Sequence, residues 1–328
     1  MKGRGATKNP RNRFERLTYE RDTDEEGPAP KTQFYRDTTT SLIAYNQSPD
    51  VGFSASINVY RGCEHGCIYC YARPYHEYLG FSAGLDFETK IMVKENAPEL
   101  LRRELMSPKW KPQTIAMSGV TDPYQPVERR LKLTRRCLEV LAEFRNPVGI
   151  VTKNYLVTRD IDVLSELAQH KAAVVFVSVT TLDSKLAGKM EPRTAMPGAR
   201  LRAIRELTKA GIPAGVFVAP MIPGLTDTEL PAIVKAATEA GACCAGMMPV
   251  RLPYGVKDLF ESWLGEHLPD RKAKVLAQIR AMHGEGILAK QTAKLFAVAC
   301  RKVGIPGKMP ELSTAAFRRP AGAQLELL

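Results

Sequence analysis

No stretch of the 328 residues approaches the run of about 18 uninterrupted apolar side chains that a membrane span needs. The N-terminus lacks the apolar centre of a secretory signal and the amphipathic run of a transit peptide, so the sequence predicts a cytoplasmic protein with no membrane role. Nowhere do G-x-x-x-x-G-K before Ser or Thr, G-x-S-x-G or H-E-x-x-H occur, which leaves phosphate-loop, serine-hydrolase and zincin chemistries without support. Internal repeats and low-complexity tracts are missing as well. The 7 cysteines, three of them crowded between positions 63 and 70, are too unevenly spread for a disulfide framework and suit reduced thiols and a metal site.

What is present is an ordinary globular composition, 44% hydrophobic and 25% charged, with a formal net charge of +12. The length suits one catalytic domain with extensions. A strongly basic chain favours a polyanionic partner such as nucleic acid. Much of the excess sits at the start, where Lys2, Arg4, Lys8, Arg11, Arg13 and Arg16 face one acid, Glu15. That segment reads either as a solvated tail or as an arm that contacts nucleic acid.

Residues 1–50 are polar and aperiodic, which predicts a basic, flexible or wrapping extension. From there short β-branched runs alternate with amphipathic segments, the pattern of βα units around a parallel sheet. Six strands are expected, at Ser56–Tyr60, Thr114–Ser118, Val148–Thr152, Ala173–Thr180, Ala214–Ala219 and Ala245–Val250. Helices are expected between them at Glu95–Met106, Thr134–Phe144, Asp160–His170, Gly198–Ala210 and Asp227–Ala240, the last two stopping at Ala-Gly pairs. The core should therefore span residues 51–255, followed over 256–328 by a helical appendage with helices at Asp270–His283 and Leu288–Lys302. In such folds ligands collect at the carboxyl ends of the strands.

One loop at such an end carries the chemistry: Tyr60-Arg61-Gly62-Cys63-Glu64-His65-Gly66-Cys67-Ile68-Tyr69-Cys70-Tyr71. Three thiolates within eight residues, beside two glycines that permit tight turning, can converge on one metal centre. A zinc site completed by His65 or His76 is the competing reading, and it would make the chain a zinc-dependent nucleic-acid-binding protein without catalysis. Structural zinc usually draws its ligands as two short pairs, and neither a second C-x2-C nor an H-x3-5-H is found. A cubane iron-sulfur cluster wants four ligands. Cys137 and Cys300 fall inside expected helices, and Cys243 and Cys244 precede the sixth strand on the opposite face. One iron would stay open to a small ligand, the device that makes a metal site catalytic.

The C-x3-C-x2-C spacing with an aromatic, Tyr69, before the last cysteine resembles the signature of the radical S-adenosylmethionine (SAM) superfamily. The likeness spans roughly residues 50–250. It implies a partial (β/α)6 TIM-like barrel in an α/β chain, a [4Fe-4S] cluster on Cys63, Cys67 and Cys70, and SAM as cofactor. It also implies reductive cleavage of SAM to a 5′-deoxyadenosyl radical and a low-potential electron donor such as flavodoxin or ferredoxin. Within the superfamily, the Tyr60–Arg73 stretch, Ser118-Gly119-Val120-Thr121-Asp122 and Thr152-Lys153-Asn154 leading to Arg159-Asp160 resemble the branch of spore photoproduct lyase. By that likeness Tyr69 and Tyr71 lie against the cofactor, Ser118 meets its methionine end and Lys153 contacts it. The lyase places a hydrogen-donating cysteine where this sequence reads Met117-Ser118-Gly119. A serine hydroxyl holds its hydrogen too strongly to replace a thiol, which puts the thymine-dimer reaction in doubt here and leaves the substrate open.

Other residues have two readings each. Tyr69, Tyr71, Tyr75, His76 and Tyr78, interleaved with Arg61 and Arg73, either stack nucleobases or pack a helix start. Asp122, before Pro123, orients cofactor or substrate, or closes a turn. Lys153 after the third strand pairs a carboxylate, Arg251 after the sixth a phosphate or carboxylate, and Thr181 and Asp183 after the fourth meet a ribose. Met247 and Met248 alternate in a strand and belong to the core.

Overall fold

The computed structural model describes residues 3–15, 30–46, 52–117, 119–282 and 286–320. Ten strands form two sheets. They are β1 (Gln33–Arg36), β2 (Ile43–Tyr45), β3 (Ala55–Ile57), β4 (Tyr60–Arg61), β5 (Lys90–Val93), β6 (Ile115–Met117), β7 (Val148–Thr152), β8 (Ala173–Ser178), β9 (Ala214–Met221) and β10 (Ala245–Pro249). The main sheet runs β10-β9-β8-β7-β6-β3-β2. Its six strands from β3 to β10 are parallel and lie in chain order, while β2 adds antiparallel to β3. This is the partial (β/α)6 barrel that the sequence implies.

Composition explains the layering. The β8 run Ala-Val-Val-Phe-Val-Ser is buried along its whole length, as a central parallel strand covered on both faces must be. Helices Ala97–Met106, Leu133–Phe144, Ile161–Gln169, Pro197–Lys209 and Leu230–Glu239 lie within two to three residues of the expected spans. Their apolar faces meet the sheet in one core, where Leu138, Ile150, Leu164, Val177, Ile204, Val216 and Ile233 are fully buried. The helix Ser184–Met190 and the small sheet β1-β5-β4 were not anticipated.

Three more helices, Val256–His267, Pro269–Met282 and Ile287–Val303, follow β10. The first of them backs the cysteine loop, since Phe260, Trp263 and Leu264 share a second apolar cluster with Cys67, Ile68 and Tyr69. The chain beyond Gly304 then laces the amino ends of the strands. Ala245 N–H donates to Pro306 O at 3.0 Å, Ser313 N–H to Lys171 O and Arg318 N–H to Phe144 O at 2.9 Å each. Arg319 reaches the carbonyls of Ser107 and Trp110 at 3.1 and 3.0 Å. Among the described residues no helix is long and apolar enough to cross a membrane.

Of the flexible and wrapping readings of residues 1–50, the described parts follow the wrapping one. Arg4 donates to Glu88 O at 2.9 Å and Pro30 O at 2.8 Å, and Asn12 donates to Glu77 O and Phe81 O. Residues 33–36 are a strand paired with β5, and residues 43–45 a strand paired with β3. These segments have no core of their own and fold onto the body through side-chain-to-backbone hydrogen bonds, which hydrophobic periodicity does not register. Lys2 and Arg16 lie outside the described residues.

Candidate metal and cofactor site

The cysteine loop leaves β4 through Gly62 and turns again at Gly66, with φ of 81° and 66°, a region that favours glycine. Cys63 and Cys67 are buried and Cys70 is half-buried. None is in a disulfide. Hydrogen bonds from distant segments fix the loop. Cys63 N–H donates to Phe87 O at 2.9 Å, and Glu64 N–H to Gln125 Oε1 at 2.9 Å. Gly62 O accepts from Thr121 Oγ1 at 2.7 Å and from Gln125 Nε2 at 3.2 Å. Cys67 O accepts from Arg73 Nε at 3.0 Å.

Burial pushes the Cys70 thiol up to about 11, with the neighbouring Cys63 adding to the rise. Burial and then the Glu191 carboxylate push Cys67 up as well. Without a metal Cys67 and Cys70 hold their protons, and a cationic centre is what converts them to thiolates.

Behind the loop lies a polar knot built on Asp122. Its Oδ1 accepts from Tyr124 N–H at 2.9 Å and Thr152 Oγ1 at 2.7 Å. Its Oδ2 accepts from Lys153 N–H at 2.8 Å and faces His65 Nδ1 at 3.3 Å. Burial opposes its charge, but His65 and then the Lys153 N–H and Thr152 hydroxyl outweigh burial and hold the carboxyl below its ordinary range. Asn154 Oδ1 takes Leu156 N–H at 3.0 Å, which turns Nδ2 toward His65 Nε2 at 3.1 Å. Lys153 extends its ammonium to Ala219 O at 2.8 Å and lies 6.0 Å from the centre of the Tyr69 ring. Burial pulls its pKa down.

A brace from residues 190–195, in the connection between β8 and β9, grips the loop from the other side. Met190 O accepts from Ile68 N–H at 3.0 Å, His65 O from Arg193 N–H at 3.3 Å and Lys153 O from Ala195 N–H at 3.2 Å. Arg193 pairs with Glu64 at 3.0 Å. The Tyr69 hydroxyl donates to Glu191, which also accepts from Thr180 and forms a fully buried ion pair with Arg200. On the outer side Glu88, itself fully buried, accepts from Gly5 N–H at 3.0 Å, Ala6 N–H at 2.8 Å and Arg73. The arm passes so near the loop that a Cβ on Gly5 would lie 1.8 Å from Gly66 O.

The expected site residues thus separate. Cys63, Cys67, Cys70, Tyr69 and Lys153 come together, and Tyr71 stands at the edge with its hydroxyl on Gly119 O. Ser118 lies outside the described residues. Asp122 lies behind the loop, with both oxygens on protein partners. A carboxylate offers about four acceptor positions, and all four are occupied within the protein, so it acts as an internal clamp. Asp183 caps the helix Ser184–Met190, accepting from Lys185 and Leu186 N–H. Thr181 bonds Glu229 at 2.6 Å. Arg251 is exposed just past β10. Arg73 is fully buried against Glu88, which removes it from base stacking, and Arg61 pairs with Asp37 at 2.8 Å.

Sequence reasoning missed His65 and Asn154 as internal hydrogen-bonding residues, and missed Gln125, Glu191, Arg200 and Glu88 altogether. Only the burial of polar side chains far apart in sequence reveals them.

The donor set fits an iron-sulfur cluster. Among the described residues no three His, Cys, Asp or Glu side chains converge on a single ion, whereas each thiolate of a cubane binds its own iron. Both ring nitrogens of His65 are occupied, which removes it as a zinc ligand, while His76 is packed between Phe81 and Phe87. Cys137 and Cys300 sit inside helices, and Cys243 and Cys244 precede β10, as expected.

Residues 57–237 match the model of the Radical SAM superfamily. An uncharacterised protein of Mycobacterium tuberculosis is 38% identical over 232 residues, covering 69% of this chain and 68% of the relative. The chain belongs to the radical SAM superfamily. A second relative of this radical SAM enzyme, an uncharacterised protein of Methanocaldococcus jannaschii, is 32% identical over 173 residues, 53% of this chain and 62% of that one. Spore photoproduct lyase complexed with dinucleoside spore photoproduct shares the fold at a TM-score of 0.59 and 15% identity, over 84% of this chain and 81% of that one. A variant of that lyase with bound AdoMet and the dinucleoside gives 0.58 at 15% identity, over 85% and 82%.

Proposed function

We propose that this radical SAM enzyme holds a [4Fe-4S] cluster on Cys63, Cys67 and Cys70, cleaves SAM reductively, and acts on a nucleic-acid substrate with electrons from a flavodoxin- or ferredoxin-type donor. The observation that carries the first two parts is three unpaired cysteines on one clamped loop, beside the carboxyl ends of a parallel sheet, with a half-buried lysine near them. When bound, the cluster and SAM supply a 5′-deoxyadenosyl radical able to take a hydrogen atom from a substrate carbon.

The protein's own residues position and shield. Lys153 has three N–H donors and gives one to Ala219 O, so the others suit a carboxylate such as that of SAM. Asp122 sets the start of the Lys153 side chain through the backbone N–H and ties it to the cysteine loop through His65. Tyr69, held by Glu191, and Tyr71 flank the cofactor, and Ser118 meets it by the family likeness alone. The brace and the arm cover the loop and exclude water. The net charge of +12 supports the nucleic-acid substrate. Among the described residues no thiol beyond the three loop cysteines stands at the carboxyl ends of the strands, so this site has no cysteine hydrogen donor.

Reconstituted without oxygen and given dithionite, the wild-type protein should convert SAM to 5′-deoxyadenosine. Cys67→Ala should lower this rate by at least about 100-fold and lower the bound iron. Equal turnover by the variant would overturn the assignment.

A further inference from the structure

The aromatic cluster that the sequence places beside the cysteine loop divides in two. Tyr69 and His76 are buried, while Tyr71, Tyr75 and Tyr78 are each more than half exposed. Tyr75 and Tyr78 lie three apart in a 3₁₀ helix, Arg73–Leu79, whose three-residue turn stacks such positions on one face. The N-terminal arm extends that face. Asn12 is buried, grips Glu77 O and Phe81 O, and accepts from Phe14 N–H at 2.7 Å. Phe14 is thereby laid on Tyr78, with ring centres 4.8 Å apart and planes at 27°. Arg13, anchored to Glu77 at 2.6 Å, has its guanidinium 5.0 Å from the Phe14 ring centre and 3.7 Å from that of Tyr254. A continuous row results, Tyr75, Tyr78, Phe14, Arg13, Tyr254, beginning five residues past Cys70.

Isolated exposed rings need no explanation, but a contiguous row held in place by buried polar anchors does. We infer that this row is a binding track for single-stranded nucleic acid, on which unpaired bases stack before one of them reaches the cysteine loop. A row of flat rings broken by a guanidinium matches the stacking platforms that bind single strands. The +12 charge attracts the backbone. A protein-docking patch would mix aliphatic and aromatic side chains. Here every exposed large apolar side chain among the described residues of the first hundred is aromatic: Phe14, Phe34, Tyr35, Tyr45, Tyr71, Tyr75 and Tyr78. In a duplex the base faces are already stacked on one another, so the track selects single strands.

The inference deepens the proposed reaction by naming the form of its substrate, yet binding to the track requires no turnover. The test is fluorescence anisotropy on the full-length, anaerobically reconstituted protein, with a labelled oligothymidylate of about 15 nucleotides and a duplex of equal length. The single strand should bind at least about 10-fold more tightly than the duplex, and less tightly as salt rises. Tyr78→Ala and Tyr254→Ala should each weaken binding about 10-fold, and Tyr78→Phe, which keeps the ring, should not. Both alanine variants should retain wild-type melting temperature and substrate-free SAM cleavage.

Equal affinity for the duplex, or wild-type affinity in both alanine variants, would overturn the track. So would binding of a flavodoxin that Tyr78→Ala abolishes while oligothymidylate does not bind. Wild-type protein that binds the oligonucleotide through the track but makes no 5′-deoxyadenosine would refute the reaction and leave the track standing.

Discussion

His76 lies on the inward side of the helix that carries Tyr75 and Tyr78, 1% exposed, with its Nε2 lacking a partner. Burial lowers its pKa to about 4, from about 6.5 for an exposed imidazole. Between those values the unfolded chain binds a proton that the folded chain does not, so stability is complete above about pH 6.5 and is lost as pH falls toward about 4. The full loss is roughly 3 kcal/mol. His76→Phe removes the titrating group and the orphaned nitrogen together. The drop in melting temperature between about pH 7.5 and about pH 5 should shrink in the variant; an unchanged drop would mean that other groups carry the acid sensitivity. Glu191 answers to the opposite logic, since its charge is satisfied by Arg200, Thr180 and Tyr69. Glu191→Ala strands the fully buried Arg200 and should cost about 3 kcal/mol or more. Tyr69→Phe removes one donor and should cost about 1 kcal/mol. Urea midpoints compare the two, and equal losses would mean that the ion pair is not what the brace depends on.

At the scale of elements, what the sequence shows and hides follows from where the information lies. The strands β6 to β10 were legible because a buried parallel strand needs a run of β-branched and small residues, and their helices because one face must be apolar. The strand expected over Ser56–Tyr60 proved to be two, β3 and β4, in different sheets. Between them lie the half-buried Asn58, whose side chain accepts from Gly119 and Val120 N–H, and the buried Val59, so the apolar pattern runs on past the break and only one polar residue marks it. β1 is exposed along its length and pairs only with β5, and it carries no pattern to read. The cysteine loop was legible because its chemistry is local, three thiols in eight residues. Its supports were not. Tyr69 and Glu191 are 122 positions apart, and Glu64 and Gln125 are 61 apart. Asp122 was found for its place at a strand end, but its four internal partners, and hence its role as a clamp, exist only in three dimensions.

At the scale of the whole molecule, the chemistry and the fastening sit at opposite ends of the strands. The cysteine loop, Lys153 and the brace gather at the carboxyl ends. The segment after Gly304 crosses the amino ends, tying β10, Lys171 two residues before β8 and the helix before β7 through backbone bonds, with the Phe317 ring centre set 6.3 Å from that of Phe144. A sheet open at both edges has no ladder to close it, and this strap supplies cross-links in its place. Truncation after Gly304 should lower the melting temperature by about 5 to 10 °C. The shortened protein should still take up iron, because the metal loop lies at the far end. Loss of iron binding with an unchanged melting temperature would show that the two ends are not independent in this way.

The wide spacing of the loop's supports also sets an order of events during synthesis. The ribosome delivers the three cysteines early, but Asp122, Asn154 and the 190–195 brace emerge long afterwards, and Phe260 and Trp263 later still. A nascent chain that has just exposed its thiols has only Arg73, Phe87 and Glu88 soon after them to hold the loop. The pocket around the three thiols is therefore complete only after most of the barrel has left the ribosome.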